Sequence, residues 1–305
     1  MELRHLRYFY ETANEMNFTR AAEKLNIAQP PLSKQIKDLE HELGVELFVR
    51  RPHFLALTPE GEMLKQYASQ ILSLADKAVE TIREMGQGLN GTIYISTVEG
   101  HTLRALSRWI SMFSKQYPSV QYNLWTGSAD EIIARIRTGL CDLAILADIR
   151  DTEGLEYFKL FQENWSAIIP EEFPLSSQPG STVKATELLP YDLIIPARPE
   201  RLDEVQNWYR NNEEKPKIRC RYTNVLSAYE LARQGVGIAI YPGEAESIVD
   251  PKVISTRVAL KAITNPMVKA NYVMLSDKNR ILPHVVYEFM SFVRKQSRLD
   301  DLSTL

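Results

Sequence analysis

Cysteine is scarce in this chain. The 305 residues include two, Cys141 and Cys220, far apart and outside any CxxC spacing. A disulfide framework or a thiolate zinc site therefore has no support, and two reduced, partly buried thiols are expected. Long apolar runs are also missing. No segment approaches a membrane-spanning length, and the first twenty residues are amphipathic with acidic residues from Glu2 onward, unlike a secretory leader. A cytosolic protein with no membrane partner is the expectation. The five histidines (His5, His41, His53, His101, His284) form no HExxH and no GxSxG elbow occurs. No residue set suggests catalysis, and no cofactor or metal is implied. Excess positive charge is lacking too. The formal net charge is −3, and residues 1–61 hold eight Lys and Arg against nine Asp and Glu. Any nucleic-acid function must rest on where those charges sit.

What is present is ordinary globular composition, 44% hydrophobic and 25% charged, in a chain long enough for two or three folded units. Leu3, Leu6, Tyr10 and Ala13 recur at helical spacing and predict a first helix. Thr19 is placed to cap a short second helix, Arg20 to Leu25, with Asn26 and Ile27 as the turn. Pro30 and Pro31 suit the first turn of a third helix, in which Leu32, Ile36, Leu39 and Leu43 form one stripe ending at Gly44. Its other face displays Gln29, Ser33, Lys34 and Lys37. A helix anchored by its apolar stripe, with a polar N-terminal face outward, has the chemistry to enter a major groove: Gln pairs with adenine, Lys reaches guanine or phosphate. The same lysines would equally suit a plain solvated helix face. Residues 47–58 then supply two short apolar runs around a basic tip, which predicts a hairpin wing carrying Arg50, Arg51 and His53 toward the phosphate backbone.

The run Phe18-Thr19-Arg20-Ala21-Ala22-Glu23-Lys24-Leu25, then Ala28-Gln29-Pro30-Pro31-Leu32-Ser33-Lys34-Gln35-Ile36, Leu39-Glu40, Leu43-Gly44, Leu47-Phe48 with Arg50, and Leu57-Thr58-Pro59-Glu60-Gly61 resembles the LysR-type transcriptional regulators. The resemblance implies a multidomain protein: an all-α winged helix-turn-helix domain, a long linker helix, and an α/β two-lobed effector-binding domain of the type 2 periplasmic-binding-protein kind. It places Gln29, Pro30, Pro31, Ser33 and Lys34 at the major groove and Arg50 with the wing tip, Arg51 and His53, along the backbone or minor groove; Lys37, Thr19 and Arg20 are further candidate DNA-binding residues. Where the family often has a further Arg or Lys at the wing tip, this chain has Pro52-His53.

Thr58-Pro59-Glu60 starts a helix that runs to about Met85. Leu64, Ile71, Ala78 and Met85 recur every seven residues, with Tyr67, Leu74 and Ile82 between them, a pattern suited to a coiled-coil seam. Leu64, Tyr67, Ile71, Leu74, Ala78 and Ile82 are the candidate dimerisation residues; packing onto its own domain is the alternative. Gly86-Gln87-Gly88-Leu89-Asn90-Gly91 matches GxGxxG in form, but it runs helix, glycines, strand, the wrong order for a dinucleotide site, and reads as a hinge.

Beyond Gly91 strands alternate with helices, implying a largely parallel sheet. Strands are expected at Thr92–Thr97, Val120–Trp125, Asp142–Leu146, Ser166–Ile169, Leu193–Ile195, Arg219–Tyr222, Gly237–Tyr241 and Tyr272–Leu275, and helices at Leu103–Gln116, Ala129–Thr138, Leu202–Asn211, Val225–Gln234 and Val285–Lys295. Ligands in such folds bind beyond the carboxyl ends of strands. Three strand-to-helix corners carry suitable polar groups: Thr97 with Glu99, Gly100, His101 and Thr102; Thr126 with Ser128; and Thr223 with Asn224. They read either as helix caps or as donors to a small ligand. Glu99 would pair with a cationic group of the ligand while Ser128 and Thr223 hold a carboxylate, or would simply favour its own helix N-terminus.

The resemblance continues through Phe113 with Tyr117-Pro118, Gly139-Leu140-Cys141-Asp142-Leu143-Ala144-Ile145, Ala232-Arg233-Gln234-Gly235-Val236-Gly237-Ile238-Ala239 and Tyr241-Pro242, which look like the LysR effector domain. It implies two lobes, crossovers near Phe161 and Pro266 to Lys269, and a cleft binding a small carboxylate or amino-acid-like effector, with Pro196 joining the corner residues. The expected organisation is 1–58 for DNA binding, 59–86 for the linker helix, 87–91 for the hinge and 92–305 for the effector domain, with lobe I at 92–161 and 269–305 and lobe II at 162–268. The implied partners are double-stranded DNA with dyad symmetry, further copies of the chain (a dimer through the linker helix, a homotetramer in the family) and RNA polymerase if the protein is an activator.

Overall fold

The computed structural model describes residues 1–51, 54–84, 89–98, 100–149, 151–210, 213–244, 257–267 and 269–303, and the side chains of all of these but Arg50, Arg51, Glu84, His101, Glu200 and 298–303. The chain divides into two compact units, Met1–Gly86 and Gln87–Leu305.

In the first unit, α1 (Leu3–Glu15), α2 (Phe18–Lys24) and α3 (Gln29–Leu43) surround a core of Leu6, Phe9, Ala13, Ala21, Ala22, Leu32, Ile36 and Leu39. The alanines of α2 leave room for α1 and α3 to approach it closely. The cap of α2 is Asn17, not Thr19: Asn17 is extended, and its side-chain oxygen accepts from the Thr19 and Arg20 amides at 2.9 and 3.1 Å. The helix begins two residues early, with Phe18 packed against Phe48. Asn26 turns the chain with φ 54°, a left-handed conformation that Asn tolerates. α3 has proline in its first turn and ends at Gly44 with φ 72°. Leu43, expected in its apolar stripe, is exposed, and the buried stripe stops at Leu39.

The wing is a hairpin of β1 (Phe48–Arg51) and β2 (Phe54–Leu57), in register from Phe48↔Leu57 to Arg51↔Phe54. Its root is fastened to α3 by Glu40, whose Oε1 accepts from the amides of Leu47 (2.9 Å) and Phe48 (3.2 Å). Helix α4 (Pro59–Glu84) starts where Thr58 Oγ1 accepts from the Gly61 amide and donates to the Glu46 carbonyl. Ala68 and Leu72, with Leu64 partly buried, join the core of this unit, and Arg7–Asp76 (2.7 Å) links α1 to α4. Leu64 thus lies at the edge between the buried Ala68 and Leu72 and the exposed face of α4 that carries Ile71 and Ile82.

In the second unit five strands form one sheet in the order β4-β3-β5-β13-β6 and six form another in the order β10-β9-β11-β7-β12-β8. The first holds β3 (Gly91–Thr97), β4 (Val120–Thr126), β5 (Leu143–Ala147), β6 (Leu155–Asn164) and β13 (Lys269–Asp277); the second holds β7 (Ser166–Pro170), β8 (Thr182–Lys184), β9 (Asp192–Pro196), β10 (Lys217–Tyr222), β11 (Ile238–Tyr241) and β12 (Val258–Thr264). Helices α5 (His101–Gln116), α6 (Ala129–Arg137) and α9 (His284–Ser303) accompany the first sheet; α7 (Pro199–Trp208) and α8 (Val225–Arg233) the second.

Each sheet has three parallel neighbours, β4-β3-β5 and β10-β9-β11, beside one strand that runs against them, β13 in the first and β7 in the second, so the sheets are mixed where a largely parallel sheet was expected. The cause is connectivity. The chain leaves the first sheet on β6, crosses at Trp165 into β7, and returns from β12 to β13 across residues 265–268; the strand entered straight from the other sheet runs against the parallel set. β6 passes through Phe161, where the crossing was expected. Central strands are buried on both faces: Leu143 and Ile145 of β5 face one core while Ala144 and Leu146 face another. Among the described residues no helix is long and apolar enough to cross a membrane.

An ideal Cβ on Gly61 would run into the Leu47 carbonyl oxygen and lie 2.9 Å from Leu57 Cδ2. Gly61→Ala should therefore push α4 off the wing root and lower stability by about 1–3 kcal/mol, as overpacking does, measured by chemical denaturation of the full chain.

Candidate functional site

On the first unit, Gln29, Pro30, Pro31, Lys34 and Lys37 are exposed along α3 and Ser33 is half-buried. The residue before α3 gives it no side-chain cap, and little needs one, because Pro30 and Pro31 have no amide hydrogen and the Leu32 amide bonds the Ala28 carbonyl at 3.5 Å. Thr19 and Arg20 are exposed on α2. Arg20 is tied back to its neighbourhood, donating to the Glu15 carbonyl at 2.7 Å. Lys24 is held by Glu11 (2.8 Å) and Glu15 (3.4 Å), and its hydrogen bond to Glu11 raises its pKa above the usual lysine value. Lys34 and Lys37 make no ion pair among the described residues, so the cations free to meet an anion are those of α3. Arg50 and Arg51 stand at the end of β1 with side chains outside the described residues, as His53 is.

On the second unit, the carboxyl ends of the parallel strands from both sheets enclose a cavity of about 440 Å³. Ser128, Pro196, Thr223 and Asn224 line it, as expected from the corners. Two of these also cap helices: Ser128 Oγ accepts from the Glu131 amide (3.3 Å) and donates to its carboxylate (2.6 Å), and Asn224 Oδ1 accepts from the Ser227 amide (3.2 Å). Those bonds from Ser128 hold Glu131 below the usual carboxylate pKa. Thr97 and Thr102 are fully buried and both hydroxyls donate to the Val98 carbonyl, so neither lines the cavity, and nor does Thr126. Gly100 is packed against the Tyr241 hydroxyl at φ +102°, leaving no room for a side chain. Glu99 and the His101 side chain lie outside the described residues.

The rest of the wall was not read from the sequence: Tyr222, Tyr241 and Tyr272, with Arg198 and Arg201. Tyr222 and Tyr241 are the last residues of β10 and β11, a position that could have marked them. The Tyr222 hydroxyl donates to the Ile240 carbonyl and that of Tyr272 to the Pro242 carbonyl, each at 2.8 Å. Arg201, 7% exposed, donates to Asp148 (2.6 Å) and to Glu204 (2.8 Å). Burial pulls its pKa down, but the two carboxylates outweigh this and hold it above the usual arginine value. Asp148 follows β5 on the first sheet and Arg201 belongs to α7 on the second, so this pair joins the lobes. Cys141 is buried beside the first sheet and Cys220 half-buried in β10, both as free thiols.

A winged helix-turn-helix in one unit and a two-lobed α/β cleft in the other make up a DNA-binding regulator that responds to a small molecule. Residues 3–62 match the family model described as a bacterial regulatory helix-turn-helix protein of the lysR family, and residues 86–298 the LysR substrate binding domain. The chain is 32% identical over 250 residues to the uncharacterized HTH-type transcriptional regulator YnfL of Escherichia coli, covering 81% of this chain and 84% of that protein. It is 31% identical to the Hca operon transcriptional activator HcaR of the same organism, covering 85% and 88%. The crystal structure of CbnR, a LysR family transcriptional regulator, superposes with a TM-score of 0.79 at 24% identity, covering 97% of this chain and 99% of that one. This chain belongs to the LysR family; it is a transcriptional regulator and not an enzyme.

Burial raises the Tyr222 and Tyr272 hydroxyls well above the ordinary tyrosine pKa in the folded state. Unfolded tyrosines ionise near about 10, so the stability these groups contribute is fully present below that pH and lost as pH rises beyond it. A Tyr222→Phe, Tyr272→Phe variant should lose about 1 kcal/mol per missing hydroxyl bond at neutral pH but show a shallower alkaline decline, followed by thermal melts across pH.

Proposed function

We propose that this regulator reads its operator with α3, and that occupancy of the inter-lobe cleft by a small anionic or amino-acid-like effector adjusts how copies of the chain are arranged on DNA. The observation that carries the DNA reading is the division of α3. Leu32, Ile36 and Leu39 are locked in the core while Gln29, Lys34 and Lys37 project into solvent from the opposite side of the same helix. Ser33 completes this face, Pro30 and Pro31 fix its first turn, and Thr19 and Arg20 contact the backbone beside it. Arg50, Arg51 and His53 of the wing follow the phosphates.

The exposed face of α4 supports self-association. Tyr67 is 58% exposed and Ile82 69%, with Ile71, Leu74 and Ala78 on the same side, a row of apolar groups a lone helix does not leave in water. Its occupant is the same face of a second copy, which gives a dimer suited to a dyad-symmetric site. A tetramer assembled through the second unit, a cytoplasmic location and contact with RNA polymerase follow from the family reading. HcaR, a similar protein, is a transcriptional activator, and activation is the reading adopted for this chain.

Titrating the protein against its own upstream DNA at several salt concentrations tests the first part. Each lost base contact should cost about 1–3 kcal/mol, so a Gln29→Ala, Ser33→Ala, Lys34→Ala variant should lose site-specific binding, and Lys34→Ala should flatten the salt dependence by about one unit. Equal binding by both proteins sinks the assignment of α3. Ile71→Asp with Ile82→Asp should convert the dimer to monomer in analytical ultracentrifugation; an unchanged sedimentation coefficient removes the α4 interface.

A further inference from the structure

We propose that Arg201 reads an anionic effector group by exchange: the ligand's carboxylate takes the place of Asp148 on the guanidinium and so releases the charged contact between the lobes. This rests on the reading of the cleft as the effector site.

Arg201 lines the 440 Å³ cleft and also a second cavity, of about 860 Å³, lined by residues of α6 and α7 with Asp148 and Pro266. Asp148 lines only the second, so the Arg201–Asp148 pair lies at the boundary between the two. Among the described residues Nη1 and Nη2 each make one hydrogen bond, to Glu204 and Asp148. One cation already carries two carboxylates. A third anion on the guanidinium would be repelled if it were added, whereas replacing one carboxylate by another leaves the charge in direct contact with the guanidinium unchanged.

The two carboxylates differ in how they can leave. Glu204 lies three residues along the same helix as Arg201 and moves with it. Asp148 is anchored to the first sheet, its Oδ1 accepting from the backbone amide and side-chain amide of Asn271, each at 3.0 Å, and its own amide donating to the Asn271 carbonyl. Losing Arg201 therefore does not orphan Asp148. It keeps two donors and faces an open cavity, which lowers the cost of breaking a partly buried pair. Glu204 and Asp148 are thus the retained and the exchangeable partner.

The exchange would also be felt where the lobes are joined. Arg201 lies over the ring of Trp165, 5.3 Å from its centroid, and Trp165 is the residue at which β6 passes into β7. Trp165 in turn packs edge-on against Trp208 of α7 at 4.9 Å. A neutral amide of the same shape as the ligand cannot supply the charge that Asp148 withdraws, so the device selects carboxylates over amides. The tyrosines around it accommodate an apolar body behind the charged group.

The test is calorimetric titration of the full-length protein with straight-chain and phenyl-substituted monocarboxylates, each paired with its primary amide. Asp148→Asn is the informative variant. It is isosteric, and Asn tolerates the left-handed φ of 49° found at this position, so folding is retained. With the competitor neutralised, the best-binding carboxylate should bind Asp148→Asn about tenfold tighter than wild type. Arg201→Gln should bind it at least about tenfold more weakly, Arg201→Lys should recover part of that loss, and the amides should bind all forms weakly. Thr223→Trp, which fills the cleft, should abolish the heat. Equal carboxylate affinity in wild type and Asp148→Asn, still lost in Thr223→Trp, overturns the exchange while leaving the cleft as the site. Binding that survives Thr223→Trp overturns the cleft reading itself. A panel in which no carboxylate binds either wild type or Asp148→Asn overturns Arg201 as an anion reader.

Discussion

Two covalent passages, at Trp165 and across residues 265–268, hold the sheets of the second unit so that the carboxyl ends of their parallel strands open onto one shared cavity. The passages reverse the chain relative to the parallel set, which makes both sheets mixed, and they bring residues from distant parts of the sequence onto one wall. Tyr272 on β13 thereby reaches the Pro242 carbonyl, and Asp148 after β5 reaches Arg201 on α7. Among the described residues two passages of chain join the cores of the two lobes. The polar contacts that span the cleft then decide which relation of the lobes is populated.

The parts of this architecture that were legible are those dictated by local rules. β5 and β9 read as strands because both their faces are buried and their apolar runs are continuous; α3 read as a helix because its stripe, its prolines and its terminal glycine agree. β6 did not, since at the sheet edge its burial is irregular and Glu156, Tyr157, Lys159 and Glu163 interrupt any simple alternation. β8 and β12 escaped for a related reason: they close the far side of the second sheet, where pairing partners and not intrinsic pattern fix the strand.

The same division runs through the sites. Ser128 and Asn224 were found because capping residues have a local signature, yet that signature cannot tell a cap from a ligand donor, and here each residue caps a helix while facing the cavity. Arg201 was invisible because its meaning depends on Asp148, 53 positions earlier in the chain. Thr97 and Thr102 carried the right chemistry at the right corner, but their hydroxyls turn inward to a backbone carbonyl. On α4, Leu64 borders both the core residues Ala68 and Leu72 and the exposed row of Tyr67, Ile71, Leu74 and Ile82, which spacing alone cannot separate.

Glu40 is one of several acids toward the C-terminal end of α3, and its place there follows from geometry. By accepting the amides of both Leu47 and Phe48, it fixes the start of the wing to the last turn of α3. On the proposed reading of α3 and the wing as the DNA-contacting parts, helix and hairpin act as the two jaws of a caliper with a set gap, and it is the duplex that must conform. Sequences whose minor groove narrows or widens easily at the wing's distance from the contacted bases fit that gap at low elastic cost. Part of the operator preference is thus written in a carboxylate that never approaches a base.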